Sequence, residues 1–243
     1  MGCFFITGTD TNVGKTIASR AIIQALQKQH VQIVGYKPIA CSESESFYGE
    51  SQSEQVNDYG SADNRDVQIL IESANHKLNY QEANSYTLSQ PLEPNILLAK
   101  TIKVDIEKLN FDLNRLKMRY QCVLVEGTFG WLTPITEHKT FADWVRMQNM
   151  PAVLVVGIKE GCINHALLTM QSIIQMGVPL LGWVANRVNP CLGYYAEIIE
   201  TLTQKIDAPL LGEIPYVHHP ETQDLSRYIT NTTRLSYMNT VLS

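Results

Sequence analysis

Phe4-Phe5-Ile6-Thr7, running into Gly8-Thr9-Asp10-Thr11-Asn12-Val13-Gly14-Lys15-Thr16, is the stretch that decides the fold. Apolar residues bounded by a glycine read as a strand over Phe4–Thr7, and the pattern after the second glycine reads as a helix over about Lys15–Lys28. Strand, glycine-rich turn and helix in that order are the context a P-loop requires. Small residues let backbone N–H groups turn inward around phosphate oxygens, and the helix N-terminus adds partial positive charge. In such a loop Lys15 reaches the β- and γ-phosphates of a nucleotide, and the Thr16 hydroxyl meets Mg²⁺. The strict pattern places its first glycine at position 9, where this chain has Thr9 preceded by Gly8. A glycine turn with a fortuitous Gly-Lys-Thr is the competing reading.

Outward from the loop, short apolar runs alternate with helical patterns. Strands are expected at Val31–Tyr36, Cys122–Val125, Ala152–Gly157, Leu180–Ala185 and Pro209–Gly212. Helices are expected at Asp66–Ala74, Val104–Tyr120, Asn164–Met176 and Tyr194–Lys205. Strands apolar on both sides need a sheet covered on both sides. The expected class is therefore α/β: one P-loop NTPase-like domain over residues 1–243, with a parallel sheet and helices on both faces. The Ser42–Asn64 stretch is rich in Ser, Glu, Gln, Asn and Gly and poor in aliphatics. It is expected to form a mobile polar surface loop rather than a domain boundary.

Composition narrows the function. The 243 residues are 44% hydrophobic and 18% charged, with a formal net charge of −5. Mild acidity argues against a nucleic-acid surface, and no apolar run approaches the roughly 18–20 residues that span a bilayer. The five cysteines contain no C-x-x-C pair, which points to a reducing compartment and away from disulfides or zinc. No signal sequence is visible at the N-terminus, so a cytoplasmic protein is expected.

A nucleotide's magnesium takes one or two carboxylates besides phosphate and water. Glu126 closes the Cys122–Val125 strand at its carboxyl end, where open α/β sheets place ligands. Asp66 stands where the polar loop gives way to a helix; alone it reads as an N-cap. Lys37 precedes Pro38, which should leave it on the loop beyond the second strand, as a site cation or as a solvated lysine. Gly161 and Asn164 precede or open a helix whose N–H groups suit a carboxylate, though Asn164 also reads as a plain N-cap. Asn186 offers a donor beside an acceptor, the pair adenine needs, or serves a turn. His218 and His219 lack a metal-ligand spacing and read as loop histidines.

Seven blocks carry a resemblance: Gly8–Thr16, Gly35-Tyr36-Lys37-Pro38, Val123–Gly127, Phe141–Val145, Gly161–Ala166, Gly182–Asn186 and Leu211–Pro215. In this order they resemble dethiobiotin synthetase over nearly the whole chain, most weakly over Ser42–Asn64 and the last residues. The resemblance implies MgATP-dependent closure of the ureido ring of dethiobiotin from 7,8-diaminopelargonate and CO₂. It implies a homodimer in which Gly161 and Asn164 serve the neighbouring subunit's substrate. Lys15 and Lys37 fall on the family's catalytic lysines, and Thr11 on its phosphate–substrate junction. Thr16, Asp66 and Glu126 fall on its magnesium ligands. Asn12, Val13, Gly14, Lys15, Thr16, Ile17, Glu126, Gly127, Thr128, Phe129, Asn186, Arg187, Pro215, Tyr216, Val217 and Glu221 fall on its ATP site, while Cys41 and Lys37 fall beside the diamine.

The departures from that family lie on the diamine side and at the nucleotide rim. Asn12 replaces a common Glu, Cys41 a Ser or Thr, and Phe129 a usual Gly, while Arg187 replaces an occasional Asp. Phe129 must point away or narrow the pocket. A paralogue with an altered diamine is one alternative. A nucleotide-switch ATPase is a second, although positions 9–13 lack the second lysine such proteins carry early in the loop, and a relative that amidates or otherwise phosphorylates carboxylates is a third.

Overall fold

The computed structural model describes residues 2–41, 64–88 and 103–237. The expected polar loop over 42–64 lies outside them except for Asn64.

Seven parallel strands form one sheet in the order β3-β2-β4-β1-β5-β6-β7. In chain order they are β1 (Gly2–Gly8), β2 (Ile33–Cys41), β3 (Asn84–Leu88), β4 (Cys122–Glu126), β5 (Ala152–Gly157), β6 (Leu180–Asn186) and β7 (Leu210–Ile214). The helices are α1 (Lys15–Lys28), α2 (Arg65–Ser73), α3 (Tyr80–Ala83), α4 (Ile106–Arg119), α5 (Phe141–Met147), α6 (Cys162–Gln175), α7 (Tyr195–Lys205) and α8 (Thr233–Tyr237). Short 3₁₀ turns occupy Pro220–Thr222 and Ser226–Tyr228. Every residue of β1, β4 and β5 is buried, as a sheet covered on both faces demands. Phe4, Phe5, Tyr36, Trp144 and Trp183 are fully buried and anchor the core. Each such side chain contributes about 1.5–3 kcal/mol by leaving water.

Register places the chemistry. Tyr36 of β2 is level with Val125 of β4, so Lys37 and Glu126 follow side by side. Glu126 is in turn level with Ile6 of β1, two residues before Gly8 opens the loop to α1. The carboxyl ends of β1, β2 and β4 therefore meet where the chain's order across the sheet reverses, the position at which such sheets hold ligands.

Lys37 corrects the expectation that Pro38 ends the strand. Beyond Tyr36 the ladder with β4 stops, and β2 runs on against β3 alone, pairing Lys37 with Asn84 and Ile39 with Tyr86. Pro38 is the position this pairing skips, so its missing N–H interrupts nothing. Two further starts differ from expectation. Asp66 is the second residue of α2 rather than its cap; Asn64 caps it, its side chain accepting from Asp66 N and Val67 N. α6 begins at Cys162 behind a left-handed Gly161 (φ 78°), which makes Asn164 an exposed third residue rather than the N-cap.

Candidate active site

The P-loop lies across the end of the sheet, with its underside packed tightly. A Cβ on Gly157 of β5 would stand 2.9 Å from Val13 Cβ, and one on Gly8 would stand 2.6 Å from Val13 Cγ2. Gly14 is left-handed (φ 83°), and a Cβ there would lie 2.0 Å from Asn186 Nδ2. Only glycine fits these positions. Gly14 is also the cap of α1 and offers no side chain, so the first N–H groups of that helix remain for an anion. Asn12 is left-handed too (φ 54°), a conformation asparagine tolerates. Thr11 and Asn12 are exposed, Val13 is buried and Ile17 is half-buried.

Behind the loop four polar side chains converge. Lys37 Nζ donates to Glu126 Oε1 at 2.8 Å and also bonds the Asp66 carboxylate. Thr16 Oγ1 donates to the same Glu126 oxygen at 2.7 Å and lies beside Asp66. Glu126 is 0% exposed, and its second oxygen, Oε2, has no hydrogen-bond partner among the described residues. Lys15 Nζ donates to the Asp10 carbonyl at 3.0 Å.

The charges set one another. Burial alone would lower the pKa of Lys37, but Glu126 and Asp66 outweigh it and hold the ammonium above the ordinary lysine value. Asp66 is pushed up by burial, yet Lys37 and Thr16 hold it below the usual carboxylate range. Lys15 has no carboxylate in contact among the described residues; burial, followed by the charge of Lys37, brings its pKa down to about 8. Burial pushes the Cys41 thiol up to about 11, which leaves it neutral, while its carbonyl accepts from Asn64 Nδ2 at 2.6 Å.

A divalent cation fits this donor set. No cluster of three or more His, Cys, Asp or Glu side chains gathers among the described residues. Two carboxylates and a hydroxyl do gather, however, with one buried carboxylate oxygen unpartnered, and magnesium asks the protein for no more beside a bound phosphate.

The remaining expected residues distribute around this centre. Asn186 Nδ2 donates to the Val13 carbonyl at 3.0 Å, which ties the end of β6 to the P-loop and engages the donor half of its amide. The backbone N–H of Gly127 reaches Ile6 O at 3.0 Å, and Thr128 Oγ1 bonds the carbonyl of Ile39. Phe129 adopts a left-handed conformation (φ 63°) and is half-buried. That backbone gives a physical reason for the glycine usual there. Arg187 stacks on Tyr195 at 4.7 Å and donates to Pro190 O at 2.9 Å. Pro215, Tyr216 and Val217 follow β7, and Glu221 pairs with Arg65 at 2.7 Å. Gly161 and Asn164 line a cavity of about 860 Å³, together with Lys159, Leu167, Tyr194 and Ile198.

Sequence reading missed Lys159 and Asn64. Lys159 pairs with Asp10 at 2.9 Å, so the P-loop is pinned from the end of β5. The signal for it was its place two residues past that strand, at the sheet's carboxyl edge.

Comparison with known proteins bears on the family and the fold. A family model described as "AAA domain" matches residues 3–223. The protein named ATP-dependent dethiobiotin synthetase BioD 1 of Pasteurella multocida (strain Pm70) is 60% identical, covering 100% of both chains. That of Haemophilus influenzae (strain ATCC 51907 / DSM 11121 / KW20 / Rd), of the same name, is 56% identical over 99% of this chain and 98% of its own. Among solved structures, the MinD cell division protein of Aquifex aeolicus superposes with a TM-score of 0.54 at 16% identity, covering 98% of this chain and 97% of its own. The cell division ATPase MinD of Pyrococcus furiosus gives 0.54 and 16% over 100% of both. At that identity the two structures share the fold.

Proposed function

This chain belongs to the ATP-dependent dethiobiotin synthetase family, a family of ATP-dependent ligases that form C–N bonds, and we propose that it closes the ureido ring of dethiobiotin from 7,8-diaminopelargonate, CO₂ and MgATP. The observation that carries this reading is the meeting of Lys37, Glu126, Asp66 and Thr16 at the sheet's carboxyl edge, directly behind a P-loop.

One amine of the substrate adds to CO₂ and gives up a proton, leaving a carbamate. A carbamate oxygen attacks the γ-phosphorus and ADP leaves, giving a carbamic–phosphoric anhydride. The second amine attacks the carbonyl carbon, inorganic phosphate departs, and the amine gives up its proton. No step needs a protein nucleophile; what is needed is alignment and stabilisation of spreading negative charge. The free N–H groups at the start of α1 hold the phosphates, and Lys15 swings from the Asp10 carbonyl to the β- and γ-oxygens. Lys37 stays protonated between its carboxylates and faces the transferring group as a fixed positive charge, not as a base. Thr16, Asp66 and Glu126 would hold magnesium, which supplies charge neutralisation at the phosphates. Thr11 and Cys41 lie toward the diamine. Asn186, Arg187, Pro215–Val217 and Glu221 line the nucleoside side. Gly161 and Asn164 receive the carboxylate tail of the diamine bound to the neighbouring subunit of a homodimer. Supporting that last role, Leu168, one turn beyond Asn164, is 58% exposed, and Tyr194 is 81% exposed.

The test is turnover of ATP by the purified chain with bicarbonate and the diamine, read by mass analysis. One dethiobiotin per ADP is expected. ATP hydrolysis indifferent to the diamine, with no ring product, would overturn the reading in favour of a nucleotide switch.

A further inference from the structure

The segment after β7 is stitched across the outer side of α1 and α2. Arg20 of α1 donates from Nε to the Gln223 carbonyl at 3.0 Å, and from Nη1 to Ser73 Oγ, at the far end of α2, at 3.1 Å. Gln24 reaches the same carbonyl at 3.2 Å, and its Oε1 accepts from Leu225 N at 2.8 Å. At the near end of α2, Arg65 Nη2 meets Glu221 Oε1 at 2.7 Å, and His219 Nδ1 stands 3.6 Å from the same oxygen. Arg65 is the first residue of α2, and the second is Asp66, which Lys37 binds. The residue that grips Glu221 thus directly precedes, along the chain, the carboxylate that Lys37 grips.

That spacing has an electrostatic consequence. A bare Glu221 would repel an incoming triphosphate and could accept only from hydroxyl or amino groups of the nucleoside. A guanidinium on one oxygen cancels the repulsion and fixes which way the carboxylate faces. The side chain of Arg65 is 60% exposed and that of Glu221 is 20% exposed, so the pair sits at the rim and is open to screening by salt.

We propose that Arg65 is a positioning residue for the nucleotide: it orients Glu221 toward the nucleoside and locks the loop after β7 to the helix that carries Asp66. It acts on the nucleoside half of ATP and leaves the phosphate half alone. The inference rests on the reading of the cleft as an ATP site with Glu221 on its nucleoside side.

The test is calorimetric binding to the full chain, with magnesium and without diamine, of two probes: ATP, and inorganic tripolyphosphate, which has no nucleoside. Arg65→Ala is expected to weaken ATP about fivefold, the scale of one partly exposed ion pair, and tripolyphosphate by less than about twofold. Arg65→Lys should recover most of the loss, the gap between wild type and Arg65→Ala should shrink in high salt, and KM for ATP should rise with kcat little changed. Equal weakening of both probes would show an effect on the phosphates or on the fold and overturn the proposal. Unchanged ATP affinity would reduce the pair to surface decoration and overturn it too. Failure of the wild-type chain to bind ATP at all would instead overturn the reading of the cleft as an ATP site, and the proposal with it, a result distinct from either outcome for the variant.

Discussion

Lys37 and Lys15 are the same residue type, close enough for one charge to act on the other, and their surroundings divide their roles. Two carboxylates keep Lys37 charged at any working pH. Replacing it by Ala should lower kcat by about 10²–10³, as the loss of one charge-stabilising donor does, with a smaller change in KM for ATP. Near-normal kcat in the folded variant would remove Lys37 from the mechanism. Lys15 titrates near 8. Bound phosphate favours the ammonium and raises that value, so the complex holds a proton that the free chain loses above it. ATP affinity should therefore be flat below about pH 8 and fall by up to tenfold per unit above it. Calorimetry from about pH 7 to 9.5 checks this, and a flat profile would mean that Lys15 does not carry the phosphate contact. Both lysines were legible from the sequence, one in a motif and one beside a strand. The neutral thiol of Cys41 and the left-handed backbone of Phe129 were not, because both depend on neighbours distant in the chain.

Among the elements, α2 links the most parts of the site. Its cap, Asn64, ties the helix to the end of β2 through the Cys41 carbonyl and sets the angle at which Asp66 enters the site. Asn64→Ala should cost about 1–2 kcal/mol in chemical denaturation and raise the magnesium needed for half-maximal activity severalfold. A loss of stability with no change in magnesium demand would separate the cap from the site. The strands of the sheet's middle were readable because full burial makes them uniformly apolar. β3 was not: Asn84-Ser85-Tyr86-Thr87-Leu88 is an edge strand, half-buried at its three central residues, and its polar side chains serve Lys37 O and Asp112 rather than a core. α5 is seven residues long, too short for a helical period to emerge, and is held instead by the Thr140–Asp143 capping box. α6 was read two residues late because a glycine in the left-handed region caps it, and no side-chain signal marks such a start.

For the molecule as a whole, alternation of strand and helix implied a parallel sheet, and the seven-stranded order bears this out. Strand order itself was not legible, since β4 reaches its place between β2 and β1 from eighty residues away through contacts that no local pattern records. No helix among the described residues is long and apolar enough to cross a membrane. Pairing of two copies belongs to this scale. If the face around Asn164, Leu168 and Tyr194 is where they meet, Leu168→Glu should convert a dimer into monomers in sedimentation and lower kcat by at least about tenfold, with ATP binding retained. A fully active monomer would show each copy to be self-sufficient. One run of chain joins these scales. Gly157 supports Val13 from below, Lys159 secures Asp10, and Gly161 caps α6, all within the five residues that begin at the last of β5. Anyone redesigning either end would meet that pentapeptide as one piece of backbone: altering the start of α6 also disturbs the seat of the P-loop, and the two have to be re-optimised together.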